Sequence, residues 1–203
     1  MNKKKILLVG AGSHAFSCID VIEQNSEYEI AGFIEKSKEI KFNFNYPILG
    51  TDEDLENLSN KFKYAFISIG QIKNPEPRII SYKLLKKFKY ILPFFISKNS
   101  YFSKENDIGE STIVMHGCVI NKFVKIGNNC IINSKVLIEH NSIIGNSNHI
   151  STGAIINGNV SLGNNNFVGS GTIIYNNVKI GNNCIIGAGS IIKKDVNDNC
   201  IIK

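Results

Sequence analysis

The chain has 203 residues, of which 43% are hydrophobic and 20% charged, as in an ordinary globular protein with a substantial core. Its formal charge of +6 comes from a lysine-rich composition with a single arginine, so the bidentate arginine contacts of nucleic-acid readers are lacking and no nucleic-acid partner is expected. No apolar run approaches the roughly 20 residues of a membrane span, and five irregularly spaced cysteines fit reduced thiols in the cytoplasm without a structural metal.

The first hundred residues alternate between strand-like and helix-like patterns. "KKILLVGAG" predicts a buried strand that ends in a glycine turn, and "HAFSCIDVIEQN" has the apolar spacing of a helix. "YEIAGFIEK" and "YAFISIG" predict two more strands, and "RIISYKLLKKFK" predicts a helix before "YILPFFIS". This alternation indicates a small parallel sheet with helices on its faces, an α/β Rossmann-like half-domain over residues 1–100.

The glycine turn "GAGSHA", residues 10–15, matches the dinucleotide pattern G-x-G-x-x-[G/A]. It follows a strand and opens a helix, and Glu35 ends the next strand, where a carboxylate can hold ribose hydroxyls. About 97 residues make only half of a doubly wound sheet, which favours a nucleotide sugar over a nicotinamide cofactor. The alternative is a tight turn that binds no ligand.

From Ile108 to Asn197 the chain divides into fifteen consecutive hexads without an insertion. The first position is always Ile, Val or Leu, the second is often Gly, and the fifth is mostly small. A six-residue period predicts a solenoid of three-sided coils, with the first residue of each hexad pointing inward. We expect five coils from the hexads of residues 108–197, within a solenoid domain over residues 101–203. A linker is expected near residues 97–109, and core positions are expected for Cys118, Cys130 and Cys184.

The hexads resemble the left-handed parallel β-helix of the hexapeptide-repeat acyltransferases. The whole chain resembles the bacterial nucleotide-sugar acetyltransferases, a family that includes UDP-4-amino-sugar N-acetyltransferases and sialic acid O-acetyltransferases. The motifs that carry this resemblance are "GAGSHA", "GFIEK", "SIG" and "NSKVLIEHNSIIGNSNHISTGAIINGNVSLG". It implies that the first domain binds a nucleotide-linked sugar and that the β-helix binds acetyl-CoA, without a metal.

The resemblance also assigns residues to the nucleotide sugar. Lys36 departs from the family, which often has a second acid there, so the nucleotide and the sugar stay open. The implied contacts are Gly12, Ser13, His14, Glu35, Lys36 and Gly70, with Asn133 as a polar residue on the acceptor side.

His140 is third in its hexad, a position that projects from the solenoid. A lone exposed histidine usually has no function, but the resemblance implies that His140 is the catalytic base. A neutral imidazole can take a proton from an attacking amine or hydroxyl. One coil later, Gly158 is expected directly above the ring, where it leaves open space and offers a backbone N–H to an oxyanion.

The residues beside the base differ from the family pattern. The family commonly has an acid directly after the histidine, where this chain has Asn141, an amide that can hold the ring but adds no charge. Glu139, directly before it, is the other candidate support. Three alternatives follow: a less basic His140, a different acceptor, or an impaired member.

His149 is sixth in its hexad and half a coil from His140, so the two rings are expected on different sides of the prism. The resemblance implies a homotrimer with sites between prisms, and it makes His149 an acyl-CoA contact. His116 is interpreted as a surface residue. Family members usually carry a closing Gly-x-Pro-Ala segment that contacts CoA, and these residues lack it. Either the sequence is truncated before this segment or the CoA pocket is incomplete. The implied CoA contacts are His149, Gly158, Ser170 and Ala188.

The expected function is transfer of acetyl from acetyl-CoA to the amine of a nucleotide-linked amino sugar, in the synthesis of surface glycans or glycoproteins. One alternative is O-acetylation of a sialic-acid-type sugar by the same base. The other is a non-catalytic, nucleotide-binding trimeric module.

Overall fold

The computed structural model describes residues 3–36 and 42–203, and its first part is the predicted α/β unit. The strands are β1 (Lys4–Val9), β2 (Tyr28–Ile34), β3 (Ile48–Gly50) and β4 (Tyr64–Ile67), and the helices are α1 (His14–Glu23), α2 (Leu55–Leu58) and α3 (Glu76–Lys87). The four strands form a parallel sheet with the order β3-β2-β1-β4. The sequence patterns missed its short edge strand β3 and the short helix α2.

Alternation along β1 explains why this sheet is buried on both faces. Ile6 and Leu8 pack in one cluster with α1, whereas Leu7 and Val9 pack in another with α2 and α3. The α1 cluster also contains apolar side chains from the second unit. The layer formed by α1 therefore lies between the sheet and the β-helix.

The second unit is the predicted left-handed β-helix, whose strands repeat every six residues. Its strands form three parallel sheets, which we name side 1, side 2 and side 3. Side 1 contains β5 (Phe95–Ile96), β8 (Ile113–Val114), β11 (Ile131–Ile132), β14 (His149–Ile150), β17 (Phe167–Val168), β20 (Ile185–Ile186) and β22 (Ile201–Ile202). Side 2 contains β6 (Tyr101–Phe102), β9 (Val119–Ile120), β12 (Leu137–Ile138), β15 (Ile155–Ile156), β18 (Ile173–Ile174) and β21 (Ile191–Ile192). Side 3 contains β7 (Asp107–Ile108), β10 (Lys125–Ile126), β13 (Ile143–Ile144), β16 (Ser161–Leu162) and β19 (Lys179–Ile180).

The core of the prism follows the hexad pattern. First-position aliphatics such as Ile138 and Ile156 are fully buried, and the fifth-position Cys118, Cys130 and Cys184 lie in the same cluster. Burial raises the pKa of the Cys118 and Cys130 thiols to about 11, so both are protonated filling groups at neutral pH.

The ends of the β-helix differ from the prediction. The first strand pair is β5 with β8, so residues 97–109 form part of the first coil and are not a linker. Side 1 has seven strands, so one further coil precedes the five coils that the hexads of residues 108–197 predict. The last coil is two residues shorter, since Ile180 pairs with Val196, and the Asp195 carboxylate accepts a hydrogen bond from the Lys179 N–H at 2.8 Å.

The three sides differ in their outward residues, which occupy the sixth hexad position. On side 1, Phe95, Ile113 and Ile131 are buried in the α1 cluster, so the first unit covers the lower part of this side. Side 3 carries an exposed and mainly polar row: Asp107, Lys125, Ile143, Ser161 and Lys179. Side 2 carries an apolar row: Tyr101, Val119, Leu137, Ile155, Ile173 and Ile191.

Candidate active site

A cavity of about 350 Å³ opens at the carboxyl ends of β1, β2 and β4. Such a crevice outside the strand ends is where open α/β sheets bind ligands. Asp52 and Ser81 also contribute to its wall, although the sequence patterns did not single them out. Six residues predicted at the nucleotide sugar line it: Gly12, Ser13, His14, Glu35, Lys36 and Gly70.

The glycine turn has two roles in this cavity. Gly10 has φ +101°, and a Cβ there would lie 2.4 Å from Ile69 Cγ1, so the turn fits against β4 only with glycine. A Cβ on Gly12 would meet nothing within 4 Å. The backbone at Gly12, just before α1, therefore leaves room for a ligand at the helix N-terminus.

Glu35 fixes this turn from the side. Its carboxylate accepts hydrogen bonds from the Ala11 N–H at 2.6 Å and from the Lys36 N–H at 2.9 Å. The ribose contact predicted for Glu35 would thus use the carboxylate's remaining lone pairs.

His14 lies at the back of the cavity, close to Gly70, whose added Cβ would sit 3.2 Å from His14 Cβ. Burial, with smaller effects of Arg78 and His149, lowers the pKa of His14 to about 3, so the ring is neutral at pH 7. Within the described residues its Nε2 is buried and has no hydrogen-bond partner. A bound ligand would supply a partner for this atom.

His140 lies in the turn from β12 to β13, at the corner between side 2 and side 3, and is exposed as predicted. Its Nδ1 is 3.2 Å from the Asn141 Nδ2. With this amide orientation Nδ1 accepts a hydrogen bond, and the neutral ring carries its proton on Nε2. A half turn of the amide puts Oδ1 opposite Nδ1, which moves the ring proton to Nδ1 and frees the Nε2 lone pair.

Glu139, the other residue predicted to support the His140 ring, makes a different contact. The Glu139 carboxylate accepts a hydrogen bond from the Asn121 Nδ2 at 2.8 Å, one coil below. Asn141 is therefore the side chain that contacts the His140 ring.

Gly158 stands above His140, as the 18-residue coil predicts. A Cβ there would lie 2.8 Å from Cε1 and 2.9 Å from Nε2 of the His140 ring. Only a residue without a side chain leaves the ring in this position.

Replacing Asn141 by aspartate tests whether His140 acts as the base. Asn141→Asp is expected to move the acid limb of the kcat/KM pH profile to higher pH, because a carboxylate favours the protonated ring. Above that limb, kcat is expected to rise about two- to tenfold with a more basic ring. The measurement is acetyl transfer from about pH 5 to 9.

The control is Asn159→Asp, which adds the same charge one coil further along the same corner, where Asn159 has φ +59° and Asn141 +60°. An unchanged profile for Asn141→Asp, or an equal shift in the control, would contradict the contact between Asn141 and the base.

His149 lies on side 1 and is 6% exposed, on a different side from His140 as expected. Its Nδ1 hydrogen-bonds the Gln71 carbonyl of the first unit, and its Nε2 is 3.3 Å from the Asn133 Nδ2. Burial lowers the pKa of His149. Both ring nitrogens are occupied within the chain, which favours a junction between the two units over the predicted contact with acyl-CoA. Asn133, predicted on the acceptor side, does not line the cavity of the first unit.

The predicted CoA residues Ser170 and Ala188 are exposed and stack one coil apart at the corner between side 1 and side 2. Ser170 Oγ is 2.9 Å from Ser151 Oγ. Gly158 occupies the corner of His140 instead, so the structure does not bring the four predicted CoA residues together within one chain.

His116 is not simply a surface residue. Its Nε2 is 2.7 Å from the Asp20 carboxylate of α1, and its Nδ1 is 2.6 Å from Ser97 Oγ. The ring therefore connects α1 to the first coil. The hexad position predicted projection from the prism, but not the helix that it meets.

The cavity and His140 face away from each other in one chain. The first unit packs on side 1, whereas His140 lies at the corner between the other two sides, which is the vertex opposite side 1. A ligand in the cavity therefore does not reach the imidazole of the same chain.

Residues 3–36 and 42–203 meet neither the requirements of a membrane-spanning helix nor those of a metal site. None of the helices there is long and apolar enough to cross a membrane. That part of the chain also contains no cluster of three or more His, Cys, Asp or Glu side chains able to hold a metal ion.

Solved structures of other bacterial proteins share this fold, including PerB, PglB and WeeI. PerB from Caulobacter crescentus, in complex with CoA and GDP-perosamine, is 26% identical, with a TM-score of 0.89 over 97% of this chain and 92% of that one. The acetyltransferase domain of PglB from Neisseria gonorrhoeae FA1090, in complex with acetyl coenzyme A, is 22% identical, with a TM-score of 0.88 over 98% and 96%. WeeI from Acinetobacter baumannii AYE is 21% identical, with a TM-score of 0.83 over 99% and 97%.

Comparison with families assigns both units. The PglD N-terminal domain matches residues 5–77, and the bacterial transferase hexapeptide (six repeats) matches residues 107–140 and 159–194. Among curated proteins, none matches the sequence. The chain therefore carries a PglD N-terminal domain followed by bacterial transferase hexapeptide repeats.

Proposed function

We propose that the protein transfers acetyl from acetyl-CoA to the amine of a nucleotide-linked amino sugar, with His140 as general base. The observation that carries this proposal is the exposed His140 ring, held by Asn141 and left free by Gly158. The complex of PerB with CoA and GDP-perosamine supports both substrate classes. Such a reaction would belong to glycan synthesis in the cytoplasm, where free cysteines stay reduced.

The reaction needs one proton acceptor and one oxyanion contact. The amine nitrogen attacks the thioester carbonyl carbon while Nε2 of His140 takes its proton, with the Asn141 amide turned so that Oδ1 accepts from Nδ1–H. The tetrahedral intermediate expels the CoA thiolate, which takes the proton back from His140. The products are the N-acetyl sugar and CoA. We assign the Gly158 N–H, which has no hydrogen-bond partner in the described part of the chain, to the oxyanion.

The nucleotide sugar is assigned to the cavity of the first unit, predicted as residues 1–100. The diphosphate would lie at Gly12 and Ser13, at the N-terminus of α1. Glu35 and Lys36 would contact the nucleoside, and the unpartnered Nε2 of His14 would contact the sugar phosphate or the sugar.

Acetyl-CoA is assigned to the β-helix, predicted as residues 101–203. Ser170 and Ala188 offer an exposed surface at the corner between side 1 and side 2, and this is the position that we propose for the CoA chain. His149 and Asn133 lie beside this corner. They would contact the acyl group only if the ring of His149 releases Asn133.

A complete site needs a second copy of the chain, and we propose the homotrimer that the resemblance implies. The apolar row on side 2 supports self-association, because a continuous strip of exposed and half-buried apolar side chains marks an interface. His140 borders this row, so a neighbouring chain seated on side 2 would come next to the base and could bring its own nucleotide cavity.

One substitution on side 2 tests this assembly. Ile155→Lys is expected to give monomers and to lower kcat/KM by about 10²-fold or more, because a buried lysine opposes the interface and the site is then incomplete. The measurements are the molar mass in solution and the rate of CoA release. Ser161→Lys puts the same side chain on side 3 and should keep both. A trimer with full activity in Ile155→Lys would overturn the proposed interface.

The function itself is tested by following CoA release from acetyl-CoA with UDP-, GDP- and dTDP-linked 4-amino sugars and with a sialic acid. Turnover with an amino sugar and formation of the amide support the proposal. Turnover with the sialic acid alone would replace it by O-acetylation. Binding of a nucleotide sugar without cleavage of the thioester would leave a non-catalytic module.

A further inference from the structure

Arg78, on α3, is the chain's single arginine and is 0% exposed. Among the described residues no carboxylate contacts its guanidinium. Burial lowers the pKa of Arg78 to about 10, so it stays charged at neutral pH. A buried cation without an anionic partner is costly, and its retention suggests a specific use.

The guanidinium binds two carbonyls at the wall of the nucleotide cavity. Nη1 donates to the Ile67 carbonyl at 3.0 Å and to the Ile69 carbonyl at 2.6 Å. These carbonyls flank Ser68, whose hydroxyl donates to the Gly10 carbonyl at 2.6 Å. Ile69 also contacts Gly10. The guanidinium thus holds the turn at residues 67–70, which forms one wall of the cavity and supports the glycine turn on the other side.

The same group binds the β-helix. Nη2 donates to the Asn129 Oδ1 at 2.9 Å and to the Asn129 carbonyl at 3.4 Å. Asn129 lies at the corner between side 3 and side 1, and its Nδ2 donates a hydrogen bond to Ser147 Oγ at 3.2 Å. The planar guanidinium of Arg78 therefore connects the wall of the cavity with one coil of the prism directly and with the next coil through Asn129.

We propose that Arg78 is a positioning residue for the nucleotide sugar: its guanidinium fixes the turn at residues 67–70 to the β-helix and so sets the shape of the nucleotide cavity. The inference rests on the proposed function only for the identity of the ligand. Its charge also reaches the cavity, since Arg78 contributes to lowering the pKa of His14, and a fixed positive charge there favours an anionic diphosphate.

The test is a binding titration of the full-length protein with UDP and with GDP, together with KM values for the nucleotide amino sugar and for acetyl-CoA. Arg78→Lys keeps the charge but loses the fork, and it is expected to weaken nucleotide binding about tenfold and to raise the KM of the sugar nucleotide equally. The KM of acetyl-CoA and kcat should stay within about twofold, because the CoA surface is on other corners of the prism.

Two further variants separate positioning from general stability. Tyr82→Phe removes another contact between α3 and the β-helix, the 2.6 Å hydrogen bond to Glu110, without touching the cavity, and should leave nucleotide binding unchanged. Asn129→Gly removes the Oδ1 acceptor at a residue with φ +57°, which glycine tolerates, and should weaken nucleotide binding about threefold.

The outcomes separate the two hypotheses. Normal nucleotide affinity in Arg78→Lys, or equal losses in Arg78→Lys and Tyr82→Phe, overturns the positioning role while the proposed function stands. If Arg78→Lys does not fold, the nucleotide affinity of Asn129→Gly is the test. Normal affinity in that variant overturns the positioning role of Arg78. Failure of the unsubstituted protein to bind UDP or GDP overturns the nucleotide cavity and this inference with it.

Discussion

Replacing His140 by alanine is expected to lower kcat for acetyl transfer by about 10²- to 10⁴-fold, the usual contribution of a positioned general base. The exposed ring makes its close contact with Asn141 and does not support the core. The free energy of unfolding should therefore change by less than about 0.5 kcal/mol. The KM values of both substrates should also change little, because His140 is assigned to proton transfer and other residues are assigned to hold the substrates. The measurements are steady-state rates of CoA release and thermal unfolding.

The matched control is His116→Ala. His116 is also the third residue of its hexad, but it contacts Asp20 and Ser97 at the junction with α1. This variant should lose stability and keep its kcat. Full activity in His140→Ala would refute the catalytic assignment, and an equal loss of kcat in His116→Ala would point to a general effect of removing either imidazole.

Adding one methyl group at Gly158 is expected to lower kcat about 10²-fold, because a displacement of about 1 Å at a reacting group has this order of effect. The new Cβ would lie 2.8–2.9 Å from the His140 ring, closer than carbon and nitrogen pack, so the ring has to turn away. The atoms that the methyl group meets belong to an exposed side chain, and the fold should tolerate Gly158→Ala. The measurements are kcat and the thermal unfolding midpoint.

Asn176→Ala is the control for Gly158→Ala, since it changes the same corner one coil further from His140. It should keep its activity. Normal kcat in Gly158→Ala would mean that the position of the His140 ring is not critical for the rate.

The hexads predicted the interior of the prism, because a first-position aliphatic such as Ile138 must point into the core of a three-sided coil. They did not predict what covers each outward side. His140 and His149 both leave the core, yet one is exposed and the other is buried under Gln71. That difference depends on where the first unit docks, which a local pattern does not contain.

The apolar or polar character of sides 2 and 3 can be read from the sequence when residues one whole coil apart, every 18 positions, are compared. Sixth-position residues taken every 18 residues form two rows. One row is apolar and consists of Val119, Leu137, Ile155, Ile173 and Ile191, and the other is mainly polar and consists of Lys125, Ile143, Ser161 and Lys179. Arg78 carried no such signal. As the single arginine in a lysine-rich chain it was an outlier, but only the carbonyls of Ile67 and Ile69 explain it. The shortened last coil depends likewise on one side chain, Asp195, that replaces a backbone acceptor.

The three-sided coil also limits how this protein can change in length. Gain or loss of a whole coil of 18 residues beyond Gly158 would keep every later strand on its own face. Gain or loss of six residues would rotate all later strands by one face, so that Lys179 would leave the aqueous side of the prism. Length variation among proteins of this architecture should therefore come in whole coils, apart from small deletions of the kind seen in the last coil, where the Asp195 side chain takes the place of a backbone acceptor.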